Sequence, residues 1–194
     1  MASCNLKCST GTIRAFELIC SSLLLVACST APRISESHLS REVFTSSDGQ
    51  LHYRIPVGWI NATNDSSSVT NIIWLVRSDF TSTLSVREVS LDSETRREVN
   101  RLGLNRVADL TLALASSVSG ARIVQQPEPA SLNGNKAFRY AYIAGNSSDV
   151  VHVIVFDTGR NVYSVSLLVS TKMGQGSVQD AVAMETAFVQ ELTW

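Results

Sequence analysis

Val150-Val151-His152-Val153-Ile154-Val155-Phe156 is the stretch on which the architecture turns. In an extended chain successive side chains point to opposite faces, so Val151, Val153 and Val155 share one face and His152, Ile154 and Phe156 the other. A strand apolar on both faces sits inside a sheet that is covered on both sides. Asn161–Val169 repeats the pattern, with Tyr163, Val165, Leu167 and Val169 opposed to Val162 and Leu168. Only Thr158-Gly159-Arg160 separates the two runs, a connection short enough for antiparallel neighbours. The expected class is therefore α+β: an antiparallel sheet packed between helical layers.

Upstream, Leu132-Asn133-Gly134-Asn135 carries the Asn-Gly pair of a tight hairpin, and strands are expected over Ala121–Gln126 and Lys136–Ile143. Before it, Val99, Leu102, Val107, Leu110, Leu114 and Val118 form an apolar stripe at helical spacing. This predicts one helix, opened by a capping box at Thr95-Arg96-Arg97-Glu98 and stopped by Gly120. Gly103 inside it costs about 1 kcal/mol relative to alanine. Still earlier, Ile72–Arg77 and Thr83–Val89 read as strands, as does Leu51-His52-Tyr53-Arg54-Ile55 after the turn Ser47-Asp48-Gly49. Pro56 ends that strand, and Asn61–Ser68 is a polar loop. Downstream, Ser177-Val178-Gln179-Asp180 opens a closing helix with Val178, Ala181, Val182, Phe188, Val189 and Leu192 on one side.

The chain has 194 residues, 44% of them hydrophobic, with a net charge of −1. That suits one domain with a real core and gives no basic surface for nucleic acid. All four cysteines lie at or before Cys28, so no disulfide can cross-link the body of the chain. The N-terminus reads as a targeting segment: Lys7 and Arg14, then an apolar run over Leu18–Ala27 of ten residues. A membrane-spanning helix needs roughly 20. The run ends Leu25-Val26-Ala27-Cys28, which resembles the lipobox of bacterial lipoproteins. By that resemblance residues 1–27 are a lipoprotein signal peptide cleaved between Ala27 and Cys28, and Cys28 is the lipid (palmitate) attachment site. Ser29, where an aspartate would signal retention in the inner membrane, points to the outer membrane, facing the periplasm. A plain signal peptide remains open as a rival. So does a plastid transit peptide starting at Met1-Ala2-Ser3, which would lead to the thylakoid lumen. Residues 28–42 are polar and aperiodic, a lipidated flexible tether reaching roughly 20 Å. Residues 43–194 form the folded domain, beginning at Val43-Phe44.

The order of elements and several strings resemble the PsbP/DcrB-like fold family, bacterial lipoprotein branch. These are Ser46-Ser47-Asp48-Gly49, Ile55-Pro56-Val57-Gly58-Trp59, Leu132-Asn133-Gly134-Asn135-Lys136-Ala137-Phe138-Arg139-Tyr140, Val162-Tyr163 and Phe188-Val189 near the end. The resemblance spans residues 43–194 and implies a PsbP-like α/β/α sheet between helices. It also implies an accessory or binding role outside the cytoplasm. The cation-associated positions of the photosystem proteins have no counterpart here, so no metal site is carried over.

No residue pattern supplies catalytic chemistry. Gly-x-Ser-x-Gly is absent, and the three histidines, His38, His52 and His152, have no ligands at metal-binding spacing. Asp92, Glu94 and Glu98 complement a helix start beside Arg96, Arg97 and Arg101. Gly174-Gln175-Gly176-Ser177 lies between strand and helix, but Gln179 stands where a dinucleotide fingerprint needs its third glycine, so it reads as a helix-capping loop. Phe138, Tyr140, Tyr142 and Tyr163 are aromatic at strand spacing, suited to packing or to a binding groove. The expectation is a non-enzymatic lipoprotein without cofactor or metal. It is bound to a membrane through Cys28 and serves as an accessory or protein-binding domain for an envelope partner. The alternative is a small-ligand carrier with a pocket between sheet and helix.

Overall fold

The computed structural model describes residues 38–65, 70–145, 147–170 and 175–194. Nine strands and three helices follow in chain order within them: β1 (Leu39–Thr45), β2 (His52–Pro56), β3 (Trp59–Asn61), β4 (Ile73–Arg77), β5 (Ser82–Val89), α1 (Ser93–Leu102), α2 (Asn105–Ser119), β6 (Arg122–Leu132), β7 (Asn135–Ile143), β8 (Val150–Asp157), β9 (Val162–Val169) and α3 (Gln175–Gln190). Strands β1 and β2 pair as a small hairpin, and the other seven form an antiparallel sheet in the order β3-β4-β5-β9-β8-β7-β6. The first strand begins at Leu39, ahead of Val43, because Leu39 and Val43–Thr45 pair with Pro56 and Arg54–His52.

Strand β8 lies inside the sheet with both faces covered, as its two-faced composition requires. On one side Ile154 and Phe156 join Leu84, Val86, Val165, Leu167 and Val169 beneath Ala181, Phe188 and Val189 of α3 and Leu51 and Tyr53 of the hairpin. On the other, Val151, Val153 and Val155 pack with Tyr140 beneath Val99, Val107, Ala108 and Leu112 of α1 and α2. Two separate apolar cores thus share one sheet. The Ser46–Gly49 turn is tied into the first of them. Ser46 Oγ donates to Asp48, the Leu51 N–H donates to Ser46 Oγ at 2.9 Å, and the Tyr163 hydroxyl donates to Asp48 Oδ2 at 3.1 Å.

Several expectations need correction. The single helix over 95–118 is two helices. Gly103 takes φ +97° and ψ 168°, a conformation outside the helix that a side chain resists, and the chain restarts at Asn105. The cap of α1 is Asp92, not Thr95: its carboxylate accepts from the Glu94 and Thr95 N–H groups at 3.1 and 2.7 Å. Those bonds, chiefly the one from Thr95, hold the Asp92 carboxyl below its ordinary range. Arg96 does not neutralise the acidic group at the helix start. It reaches Asp157 at 3.0 Å and the Arg160 carbonyl at 2.7 Å, tying α1 to the β8–β9 turn. Strand β6 runs on to Leu132, past Pro127 and Pro129, because it is an edge strand where missing N–H donors are tolerated. Trp59–Asn61, placed beyond the end of a strand in the sequence reading, forms β3 at the opposite edge. The closing helix starts at Gln175, two residues ahead of Ser177.

The break between α1 and α2 gives a direct test. A Cβ at position 103 would approach Asn105 Oδ1 to 3.1 Å as well as strain φ. Gly103→Ala is expected to lower stability by about 1–3 kcal/mol in urea unfolding. An unbroken helix through 103 would instead make the alanine stabilising.

Candidate functional site

The two faces of the sheet are covered unequally. Register places Trp74, Ser85, Ser166, Val153 and Tyr140 in one row across β4, β5, β9, β8 and β7. The neighbouring row is Ile60, Val76, Thr83, Leu168, Val151 and Tyr142. Helix α2 packs over the β6–β7 end of these rows. Toward β3, no helix among the described residues covers them, and Ile60 and Leu168 remain 50% and 36% exposed. The apolar double face seen in β8 is therefore incomplete in its neighbour β9, where Ser164 and Ser166 alternate with the buried Val165 and Leu167.

Where the covered and open halves meet, a groove of about 330 Å³ opens between α2 and the sheet. Thr111, Leu114 and Ala115 of α2 form its roof, and Tyr140, Tyr142 and Val153 one wall. Arg87, Ser164 and Ser166 form the other. Short side chains on β9 make the room, since larger ones at 164 and 166 would fill the space beside Val153. The Tyr140 hydroxyl is satisfied internally, donating to Thr111 Oγ1 at 3.0 Å, while Thr111 donates to the carbonyls of Val107 and Ala108 at 2.9 and 3.0 Å. Burial pushes the Tyr140 phenol up to about 12, so it stays protonated. Its ring stacks on Tyr142 with centroids 6.3 Å apart. Tyr142 is also raised by burial, partly offset by the positive charge of Arg87 nearby. Arg87 Nε donates to Asn71 Oδ1 at 2.6 Å, which fixes the guanidinium.

Of the aromatic residues singled out from sequence, Tyr140 and Tyr142 meet in this groove, with Phe138 packed in the core beside them. Tyr163 belongs to the opposite face, stacked on Phe156. Arg87, Ser164 and Ser166 drew no attention in the sequence, because pairing between strands about eighty residues apart is what assembles them.

The histidines stay separate. His152 is half-buried beside Ala141 and Leu167, where burial lowers its imidazole pKa. His52 is exposed, with Nδ1 3.2 Å from Thr45 Oγ1. His38 lines a different surface cavity with Asp180, Ala183 and Met184. No group of three His, Cys, Asp or Glu side chains that could hold a metal occurs among the described residues. Ala27, Cys28, Lys172 and Gly174 lie outside those residues. No described helix is long and apolar enough to cross a membrane.

One buried ionisable group escaped the sequence reading altogether. Glu185 is 3% exposed in the middle of the core-facing stripe of α3, and its Oε1 has no hydrogen-bond partner among the described residues. The spacing could have revealed it. Position 185 follows Ala181 by four residues and precedes Phe188 by three, so it shares their face.

No family model matches the chain, and no curated protein matches it in sequence. Solved structures do. The solution structure of the cyanobacterial PsbP protein (CyanoP) of Synechocystis sp. PCC 6803 is similar at TM-score 0.57 and 12% identity, over 86% of this chain and 98% of that one. The Ran-binding protein Mog1p of Saccharomyces cerevisiae is similar at TM-score 0.50 and 13% identity, over 80% of this chain and 95% of that one. At such identities the likeness speaks for architecture alone. Together with the sandwich described above, it establishes that this chain has the PsbP/Mog1-like α+β fold.

Proposed function

We propose that this chain is a lipid-anchored accessory domain of a bacterial cell envelope, without catalytic activity of its own, that binds a protein partner. The observation that carries the binding role is the open half of the sheet, where Ile60, Trp74, Val76 and Leu168 lie on a face with no helix over it among the described residues. Apolar surface of this kind, rimmed by polar groups, marks interaction sites. That a protein with this fold, Mog1p, is Ran-binding supports use of the fold for protein recognition. The anchoring rests on Leu25-Val26-Ala27-Cys28. Two or three acyl chains, each methylene contributing about 0.8 kcal/mol, hold a protein firmly to a bilayer. The expected tether over residues 28–42 loses its last residues to the fold, since β1 opens at Leu39, and in this reading the domain faces the periplasm.

Cys28→Ala is expected to abolish incorporation of radiolabelled palmitate and to move the chain from the membrane to the soluble fraction. Labelling that persists in the variant would defeat the anchor. Crosslinking from a photoreactive residue at Leu168 would identify the partner, and a chain that crosslinks only to lipid would defeat the protein-binding role.

The groove beneath α2 favours a second reading, that of a small-ligand carrier. Native mass spectrometry of the chain from its own host tests it, a retained molecule supporting the reading and consistently empty spectra opposing it.

A further inference from the structure

The groove contains more hydrogen-bonding capacity than the protein uses. The Arg87 side chain makes one hydrogen bond, from Nε to Asn71, so both terminal nitrogens are unpaired among the described residues. No carboxylate pairs with it there, and Glu88, next along β5, points to the opposite face of the sheet. The hydroxyls of Ser164, Ser166 and Tyr142 likewise have no partner among the described residues. Cross-strand pairing puts Ser164 directly beside Arg87. Tyr142, Ser164 and Ser166 are half-buried beside an apolar floor, so their hydroxyls need water or a ligand to satisfy them, while the terminal nitrogens of the exposed Arg87 are open to one.

Among the residues that line the groove, Arg87 brings the charge, and it is positive. A guanidinium pinned through Nε presents its two terminal N–H groups end-on, a fork that matches the two oxygens of a carboxylate. The serine hydroxyls, able to donate or accept, stand on the same face of the sheet as Arg87. Beyond them, Val153, Ala115 and Leu114 offer no polar group, and the stacked rings of Tyr140 and Tyr142 form a flat wall. We propose that this groove binds a small organic carboxylate with a flat apolar body, its anionic end held by Arg87 and Ser164 and its ring laid along Val153, Tyr140 and Tyr142.

This inference rests on the carrier reading, and the experiments separate the two. Phenylacetate titrated into the full-length chain should shift the backbone amide resonances of Arg87, Ser164, Ser166 and Tyr142 in a saturable way. Acetate, which has the charge without the ring, and phenethyl alcohol, which has the ring without the charge, should each bind at least about tenfold more weakly. Arg87→Gln should weaken phenylacetate binding by about tenfold or more, and Ser166→Leu should abolish it by filling the groove. Arg87 is exposed and Ser166 faces an open cavity, so neither variant removes core packing, and an unchanged far-UV spectrum checks that both fold. No saturable shift at 10 mM phenylacetate would overturn the proposal, as would shifts that survive Arg87→Gln or equal binding of phenethyl alcohol. A molecule that native mass spectrometry finds on the wild-type chain and still finds on Arg87→Gln would overturn the carboxylate assignment and leave the carrier reading standing.

Discussion

Replacing Glu185 with leucine is expected to stabilise the protein at neutral pH, and by more the higher the pH. The carboxyl lies in the first core with Oε1 unpaired, and burial pushes its pKa from 4.5 up to about 8. The ionisable side chains of β2 and β9, against which α3 packs, are His52, Tyr53, Arg54 and Tyr163. Arg54 is taken by Glu191 at 3.8 Å, which leaves desolvation to set the direction of the shift. Between 4.5 and about 8 the folded state keeps a proton that the unfolded state has released. Stability is therefore greatest below 4.5 and falls by about 1.4 kcal/mol per unit as pH rises to about 8, or about 4–5 kcal/mol in all. Glu185→Leu removes that slope and completes the apolar stripe, so its advantage should be about 3 kcal/mol or more at pH 7. His152 works in the opposite sense, its lowered pKa costing stability as pH falls below 6.5, but it is common to both proteins. Urea unfolding of the pair at pH 5, 6 and 7 isolates Glu185, and a difference independent of pH would mean that the carboxyl is already charged in the folded state.

Phe156→Ala should be the most damaging substitution on β8. The ring is fully buried at the end of the stretch that decides the fold. It stacks on Tyr163 at 5.5 Å and on Trp194 at 5.4 Å, so it joins β8, β9 and the chain beyond α3. Removing it leaves a cavity between two rings that cannot both collapse into it, at a cost of about 3–5 kcal/mol. For a chain of this size that lowers the melting temperature by roughly 10 °C, which calorimetry can measure. Phe156→Leu, which keeps most of the volume, should recover more than half of the loss. Equal damage from both would show that ring stacking, rather than filled space, is what matters there.

What could be read in advance was local or periodic. The alternation in β8 specifies a strand covered on both faces, and Asn133-Gly134 specifies the turn between β6 and β7, both residues taking positive φ, 49° and 79°. Gly120 stops α2 in the left-handed conformation at φ 62°. The helix break at Gly103 was invisible because the apolar stripe runs on through it, and a glycine inside a helix is only mildly unfavourable in itself. Trp59–Asn61 is too short to show a period, and β6 hides behind two prolines that argue against any strand except an edge. The groove was legible only in its tyrosines. Its cation and serines come together through the pairing of β5 with β9, and no local pattern encodes that register.

Both borders of the large sheet are poor templates for another chain. On one side β3 has only three residues, and on the other β6 carries Pro127 and Pro129 and slips register between Ile123 and Glu128. Under the proposed anchoring, molecules crowded side by side on a lipid surface would meet their neighbours constantly. With its margins blunted, such a layer can be dense without zipping into fibrils, and encounters that last must use the broad flank of the molecule.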